Sequence, residues 1–265
     1  MPAISNDRFD KQVLDQEKPI SQQMEELRLT LSLALPHELR TPLNVILGFS
    51  EFLVSQGPER LPEAETILNI QTSIYDNALR LQRLIENYLL YAHLKLLEQD
   101  PEKRHREMWE SDELIPARSL IGSVARFKAQ KARRQHDLRF TAIDEVILRI
   151  SAKSLHKILE ELLDNAFKFS EPGTPVYVMT ECSGPQWLLK ITDQGRGMTP
   201  EQIASIGAFM QFERLRYEQQ GSGLGLTIAL LLTRLNRGEL TIESPPNQGT
   251  TITVMFNDET IATSP

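Results

Sequence analysis

Apolar residues recur at three- and four-residue intervals from about Ser21 to Gln56, at Leu27, Leu31, Ala34, Leu35, Leu39, Ile46 and Phe49. That spacing predicts one long amphipathic helix. Gly57 and Pro58 interrupt it, and Pro62 suits the first turn of a second helix. The second stripe, Ile67, Ile70, Ile74, Leu81, Leu84, Ile85, Tyr88 and Ala92, carries that helix to about Leu97. At ~1.5 Å per residue each helix is on the order of 50 Å long. A hairpin of two such helices has apolar surface that nothing inside it covers. Packing alone therefore predicts pairing with a second copy, a homodimer built as a four-helix bundle.

The pattern then changes. Glu98 to Glu113 is charged and without apolar periodicity, and reads as a linker punctuated by Pro101 and Pro116. Beyond it a helix is predicted over Ala117–Arg134, then two short β-rich runs, Leu138–Ile143 and Val146–Ile150. A helix over Ala152–Phe169 points Leu155, Ile158, Leu159 and Leu162 inward. Strands follow at Val176–Glu181 and Trp187–Thr192, then a glycine-rich turn, a polar segment and a helix over Leu224–Leu235. Strands at Glu239–Glu243 and Thr250–Phe256 close the series. Strands mixed with helices argue for an α/β sandwich with helices on one sheet face, so the fold class is α + α/β.

A length of 265 residues allows one large domain or two modest ones, and 40% hydrophobic side chains are enough for packed cores. The division expected is a lead segment at 1–20, the hairpin at 21–97, the linker at 98–113, the α/β domain at 114–258 and a tail at 259–265. The net charge of −7 argues against a broad electrostatic grip on nucleic acid. A single cysteine, Cys182, excludes an internal disulfide framework and suits a reducing, cytoplasmic setting. The longest apolar run near the end, Ile228–Leu232, is far short of the ~20 residues of a membrane span, so no direct membrane insertion is expected.

The sharpest local feature is Pro36-His37-Glu38-Leu39-Arg40-Thr41-Pro42-Leu43. Pro42 cannot donate to the carbonyl of Glu38, nor Pro36 to that of Ser32, which predicts a helix loosened around one imidazole. Neutral imidazole is a competent nucleophile near pH 7, and a neighbouring carboxylate can hold one ring nitrogen protonated while the other attacks. Thr41 shares the face of His37, four residues on. On these residues the segment resembles the phosphoacceptor box of the HisKA class of sensor histidine kinases. The resemblance implies that His37 receives the γ-phosphoryl group of ATP and that Glu38 acts as the orienting acid/base. It also implies that Thr41 positions water when such kinases dephosphorylate their partner. Pro36 departs from the small or polar residue common there.

A second constellation is Glu161, Asn165 and Lys168, which the spacing sets on one helical face as carboxylate, amide and ammonium. That face suits a magnesium ion beside a polyphosphate. It resembles the N-box of the GHKL nucleotide-binding superfamily, with Asn165 as magnesium ligand. Glu161 stands where family kinases often have Asn, and either a metal-shell role or a water-activating role fits it. Asp193-Gln194-Gly195-Arg196-Gly197 follows a strand and resembles the G1 box, whose Asp accepts a hydrogen bond from the adenine amino group. An acceptor there favours adenine over guanine, which presents a carbonyl. Gly221-Ser222-Gly223-Leu224-Gly225 opens a helix whose free amides favour anions, and resembles the G2 box. Phe209, Phe212 and Arg214 belong to a segment resembling the F-box of the lid over ATP. Thr250, after Gly249, resembles the Thr that supports the adenine contact.

Together these boxes imply a dimerising helical hairpin followed by a Bergerat-fold domain that binds ATP with Mg2+. The activity implied is that of an ATP-dependent protein-histidine kinase, passing phosphate to an aspartate on a response-regulator receiver domain. The segment before Ser21 is too short for a sensory domain, so the input is expected from an upstream sensor or a partner. Two alternatives remain at this level: a GHKL-type ATPase using Glu161 as base, and a non-catalytic dimeric scaffold.

Overall fold

The protein is described from a computed structural model covering residues 20–56, 63–109, 114–142, 145–183, 185–204, 206, 224–257 and 261–262, with backbone alone for 20–37, 109 and 261–262. Two helices come first, α1 (Ile20–Gln56) and α2 (Ala64–Gln99). The Tyr88 hydroxyl donates to Glu38 Oε2 at 3.1 Å across 50 residues of sequence. That contact, well inside two helices that follow each other in the chain, sets them antiparallel as a hairpin. The inner stripe of α2 alternates four and three residues: Ile70, Ile74, Asn77, Leu81, Leu84, Tyr88 and Tyr91 are buried or half-buried. On α1 the matching positions are Leu39, Pro42, Ile46, Phe49 and Leu53. This is the periodicity of helices that pack side by side. Ile85, expected on the stripe, is 42% exposed.

Helix α1 runs unbroken through Pro36 and Pro42, so the expected loosening is not seen in the backbone. An interior proline costs a helix roughly 3 kcal/mol. Pro42 is buried on the inner stripe, where packing against the hairpin offsets that loss.

Residues 98–113 differ from the irregular linker expected. A helix α3 (Pro101–Trp109) forms there. Asp100 caps it, its side chain accepting from the Lys103 N–H at 2.9 Å, and Pro101 occupies the first helical position. Compactness divides the described chain at His93/Leu94 and assigns the end of α2 and all of α3 to the same unit as the sheets. Leu94, Leu97 and Met108 are buried in that unit, Glu98 lies 3.6 Å from Arg234, and Met108 Sδ accepts from Asn236 Nδ2 at 3.9 Å.

The remaining elements are β1 (Leu114–Pro116), α4 (Ala117–Lys131), β2 (Leu138–Ala142), β3 (Ile147–Arg149), α5 (Ala152–Phe169), β4 (Val176–Ser183), β5 (Gln186–Asp193), α6 (Pro200–Ala204), α7 (Leu224–Leu235), β6 (Glu239–Glu243), β7 (Thr250–Asn257) and β8 (Ile261–Ala262). Five strands form the main sheet in the order β2-β4-β5-β7-β6, with β2 and β4 parallel and the other pairs antiparallel. A small antiparallel sheet, β1-β3-β8, uses two strands that the sequence pattern did not predict. Alternation decides the inner face: Val176, Val178, Trp187, Leu189, Ile191, Ile252, Val254 and Phe256 are buried. Leu155, Ile158, Leu159, Leu162 and Leu163 of α5 complete the same core, as the helical pattern predicts. No described helix is long and apolar enough to cross a membrane.

Candidate functional site

β5 ends in Asp193, directly opposite Thr250 at the start of β7. Its alternation faces Trp187, Leu189 and Ile191 into the core, and Asp193 continues that phase, so the carboxylate is drawn inward and is 8% exposed. Burial pushes its pKa above the ordinary aspartate value, while the backbone amides of Gly195 and Thr250 and the charge of Arg134 pull it back. Gly195 N–H donates to Asp193 Oδ1 at 2.8 Å. The chain leaves the strand under tight constraint. A Cβ on Gly195 would lie 2.3 Å from the Phe169 carbonyl oxygen, and one on Gly249, at φ +84°, would lie 2.0 Å from the Asp193 carbonyl oxygen. Both glycines are demanded by close backbone approach, and Gly197 follows at φ +67°. Thr250 Oγ1 lies 2.7 Å from Ser244 Oγ, which fixes the hydroxyl beside the strand end.

Helix α5 brings the second group of residues. Its C-terminal end reaches the same turn, since Phe169 touches the Gly195 position. Asn165 is half-buried and its side chain makes no hydrogen bond among the described residues, which leaves its amide oxygen suited to a ligand. Lys168 is exposed, and its Nζ lies 5.0 Å from the centre of the Phe169 ring, as does the Arg196 guanidinium. Glu161 is buried at 4% exposure and paired with Lys157 at 2.7 Å. It also meets the first turn of α7: a Cβ on Gly225 would lie 2.2 Å from Glu161 Oε2. A carboxylate at a helix N-terminus is favoured by the orphan amides and the dipole there.

The expected residues thus fall into two groups. Asp193, Gly195, Gly197 and Thr250 converge with the end of α5, while Glu161 meets Gly225 at the head of α7. Leu224 is buried as the first residue of α7. Phe209, Phe212, Arg214, Gly221, Ser222 and Gly223 lie outside the described residues. In the hairpin, His37 sits within α1, Glu38 is half-buried and held by Tyr88, and Thr41 is exposed. Sequence reading missed Tyr88 as a partner of Glu38, having assigned it only to the apolar stripe. A tyrosine on an inner stripe opposite a carboxylate could have drawn attention, because a buried phenol needs a hydrogen-bond partner.

Among the described residues no group of three or more His, Cys, Asp or Glu is arranged to hold a metal. Magnesium does not require one: it keeps several waters and binds through one or two protein oxygens plus substrate phosphates. The oxygen donors of Asn165 and Glu161, one turn apart on α5, fit that requirement.

Two families of known proteins match separate segments of the chain. Residues 27–96 match the family described as His Kinase A (phospho-acceptor) domain. Residues 150–260 match the histidine kinase-, DNA gyrase B- and HSP90-like ATPase family. The sensor histidine kinase YvrG of Bacillus subtilis is 30% identical over 227 residues, 85% of this chain and 37% of that protein. The heme sensor protein HssS of Staphylococcus saprophyticus is 27% identical over 94% of this chain and 50% of its own length. The chain therefore spans half or less of these relatives. Among solved structures, the Acinetobacter baumannii histidine kinase AdeS aligns with a TM-score of 0.61 and 19% identity over 83% of this chain and 97% of that one, which establishes the shared fold.

Proposed function

We propose, for a chain that belongs to the HisKA-class histidine kinase cores, that it binds ATP in the α/β unit and transfers the γ-phosphoryl group to His37. The observation that carries this reading is the Asp193 carboxylate, buried at the end of β5 and aimed by the Gly195 amide. A buried carboxylate lowers stability unless it meets a donor, and the exocyclic amine of adenine supplies one. Thr250, opposite Asp193, supports that contact. Asn165 and Glu161 would hold magnesium, which supplies positive charge to the phosphates when bound, and Lys168 adds a further cation. Gly221, Ser222, Gly223, Leu224 and Gly225 offer backbone amides to the phosphate chain. Phe209, Phe212 and Arg214 form the lid segment.

The chemical step is an in-line displacement. A ring nitrogen of neutral His37 donates its lone pair to the γ-phosphorus, the bond from that phosphorus to the β–γ bridging oxygen breaks, and ADP leaves with the electron pair. Glu38, adjacent in sequence and oriented by Tyr88, accepts the proton that the imidazole gives up. A response-regulator aspartate then takes the phosphoryl group from His37, and Thr41 positions water for the reverse, dephosphorylating role. The hairpin, up to His93, is the dimerisation and phosphotransfer part, 114–258 the ATP-binding part, and an upstream sensor or partner supplies the input.

Incubation with γ-labelled ATP tests the reading. Label that survives alkali and is lost in acid is expected on the wild-type chain, and none on His37→Gln, whose nucleotide binding persists. Acid-labile label retained by His37→Gln would overturn the assignment. The hydrolytic alternative finds less support, because residues 27–96 match a phospho-acceptor domain that ATP hydrolysis alone does not require.

A further inference from the structure

Arg134 lies outside every motif, in the turn between α4 and β2, yet it is 6% exposed and its guanidinium is fully engaged. Its Nε donates to Asp137 Oδ2 at 2.6 Å. Nη1 reaches the carbonyl of Phe167 and both the carbonyl and hydroxyl of Ser170, each at 2.9 Å. Nη2 reaches the carbonyls of Glu171 at 2.7 Å and Thr174 at 2.9 Å. The plane also lies 5.4 Å from the centre of the Phe167 ring. Asp137 completes the knot by accepting from the Gly173 N–H at 3.0 Å.

Every one of these backbone acceptors belongs to the last turn of α5 or the loop that leaves it. The final carbonyls of a helix have no intrahelical donors, and here a rigid five-donor fork supplies them from another part of the chain. The residue held between these anchors is Phe169, and its carbonyl oxygen is the atom on which Gly195 rests. Gly195 in turn donates the hydrogen bond that aims Asp193 Oδ1. Guanidinium and carboxylate are thus joined through a continuous series of contacts. The space between the Phe169 carbonyl and Gly195 is too small for even a Cβ, which would lie 2.3 Å from that oxygen.

We propose that Arg134 is a positioning residue for nucleotide recognition, clamping the end of α5 so that the Phe169 carbonyl and the Gly195 amide hold the Asp193 carboxylate in its adenine-reading orientation. The inference rests on the assignment of Asp193 to adenine made above. A second effect runs in the same direction: the charge of Arg134 favours the ionised, accepting form of Asp193 against burial. The other groups facing that carboxylate are the amides of Gly195 and Thr250, while Arg196 and Lys168 lie over the Phe169 ring.

The experiment measures autophosphorylation kinetics of the full chain with ATP and with GTP, alongside thermal melting without nucleotide. Arg134→Gln is expected to raise the KM for ATP by about tenfold, equivalent to one decade of affinity, with kcat changed by less than about twofold. Its preference for ATP over GTP is expected to fall, because the acceptor that discriminates the two bases is no longer aimed. Arg134→Lys keeps a cation but not the fork, and is expected to move KM and preference the same way; it replaces Arg134→Gln if that variant does not fold. A folded variant with wild-type KM and wild-type base preference overturns the proposal, as does one in which kcat alone falls. Asp193→Asn separates the two layers of the argument. Unchanged base preference in Asp193→Asn overturns the adenine assignment and this inference with it. Lost preference there beside unchanged preference in both Arg134 variants overturns the role of Arg134 alone.

Discussion

At the scale of single residues, the adenine contact proposed for Asp193 sets recognition against stability. Its pKa in the folded chain is raised, chiefly by burial. A carboxyl group with a raised folded pKa binds its proton more tightly in the native state, so its contribution to stability falls as pH rises through the window above the unfolded value. Above the folded pKa the empty protein carries that penalty in full. Asp193→Asn keeps an Oδ1 to accept from Gly195 and removes the charge. Its nucleotide-free melting temperature at pH 7 should be no lower than wild type, while ADP affinity falls by about tenfold or more. Thermal melts and calorimetric titration check both halves; a lower melt with unchanged affinity would contradict them. Asp193, Gly195 and Thr250 were legible in the sequence because glycines and a strand-end acid are local signals. Arg134 and Tyr88 were not, because the backbone acceptors that Arg134 clamps lie 33 to 40 residues away and the Glu38 partner of Tyr88 lies 50 away. Nothing in the neighbourhood of either announces where it will reach.

At the scale of elements, α3 shows a signal present but misread. Asp100-Pro101 is a cap followed by a first-turn proline, yet the charges that follow resemble an unstructured linker. Charge decides only that a face is solvated, whereas the buried Leu97 and Met108 on either side anchor the segment. The meeting of α5 with α7 is likewise invisible from either helix alone. Gly225 leaves room for the Glu161 carboxylate, and the Lys157 pair restricts its escape. Gly225→Ala should therefore displace the carboxylate and weaken nucleotide binding, and Glu161→Ala should relieve the clash. In a double-mutant cycle on thermal stability, Gly225→Ala and Glu161→Ala should couple by roughly 1–3 kcal/mol. Strict additivity would mean the two groups do not meet.

At the scale of the whole molecule, the hairpin carries an apolar stripe that its own two helices do not cover. Leu68, Tyr75 and Leu89, spaced by multiples of seven on α2, are 62%, 64% and 67% exposed, and Leu43, Leu47 and Val54 are exposed on α1. Seven-residue spacing is the register in which a second pair of helices would seat. Leu89→Glu is expected to shift the chain from dimer toward monomer at micromolar concentration in sedimentation experiments, with little effect on ADP binding. A dimer unaffected by that change would place the interface elsewhere. Helical and strand periodicity, the order of the motifs and the residue types proposed to bind phosphate and adenine all rest on near neighbours in the chain, which is why they could be read before any fold was known. The union of Arg134 with the end of α5, the seat of Glu161 beneath Gly225, and the burial of Leu94 and Leu97 with the sheets rather than the hairpin depend on distant segments arriving together. Such contacts arise from packing and the pairing of buried polar groups across the fold, and local pattern holds no record of them.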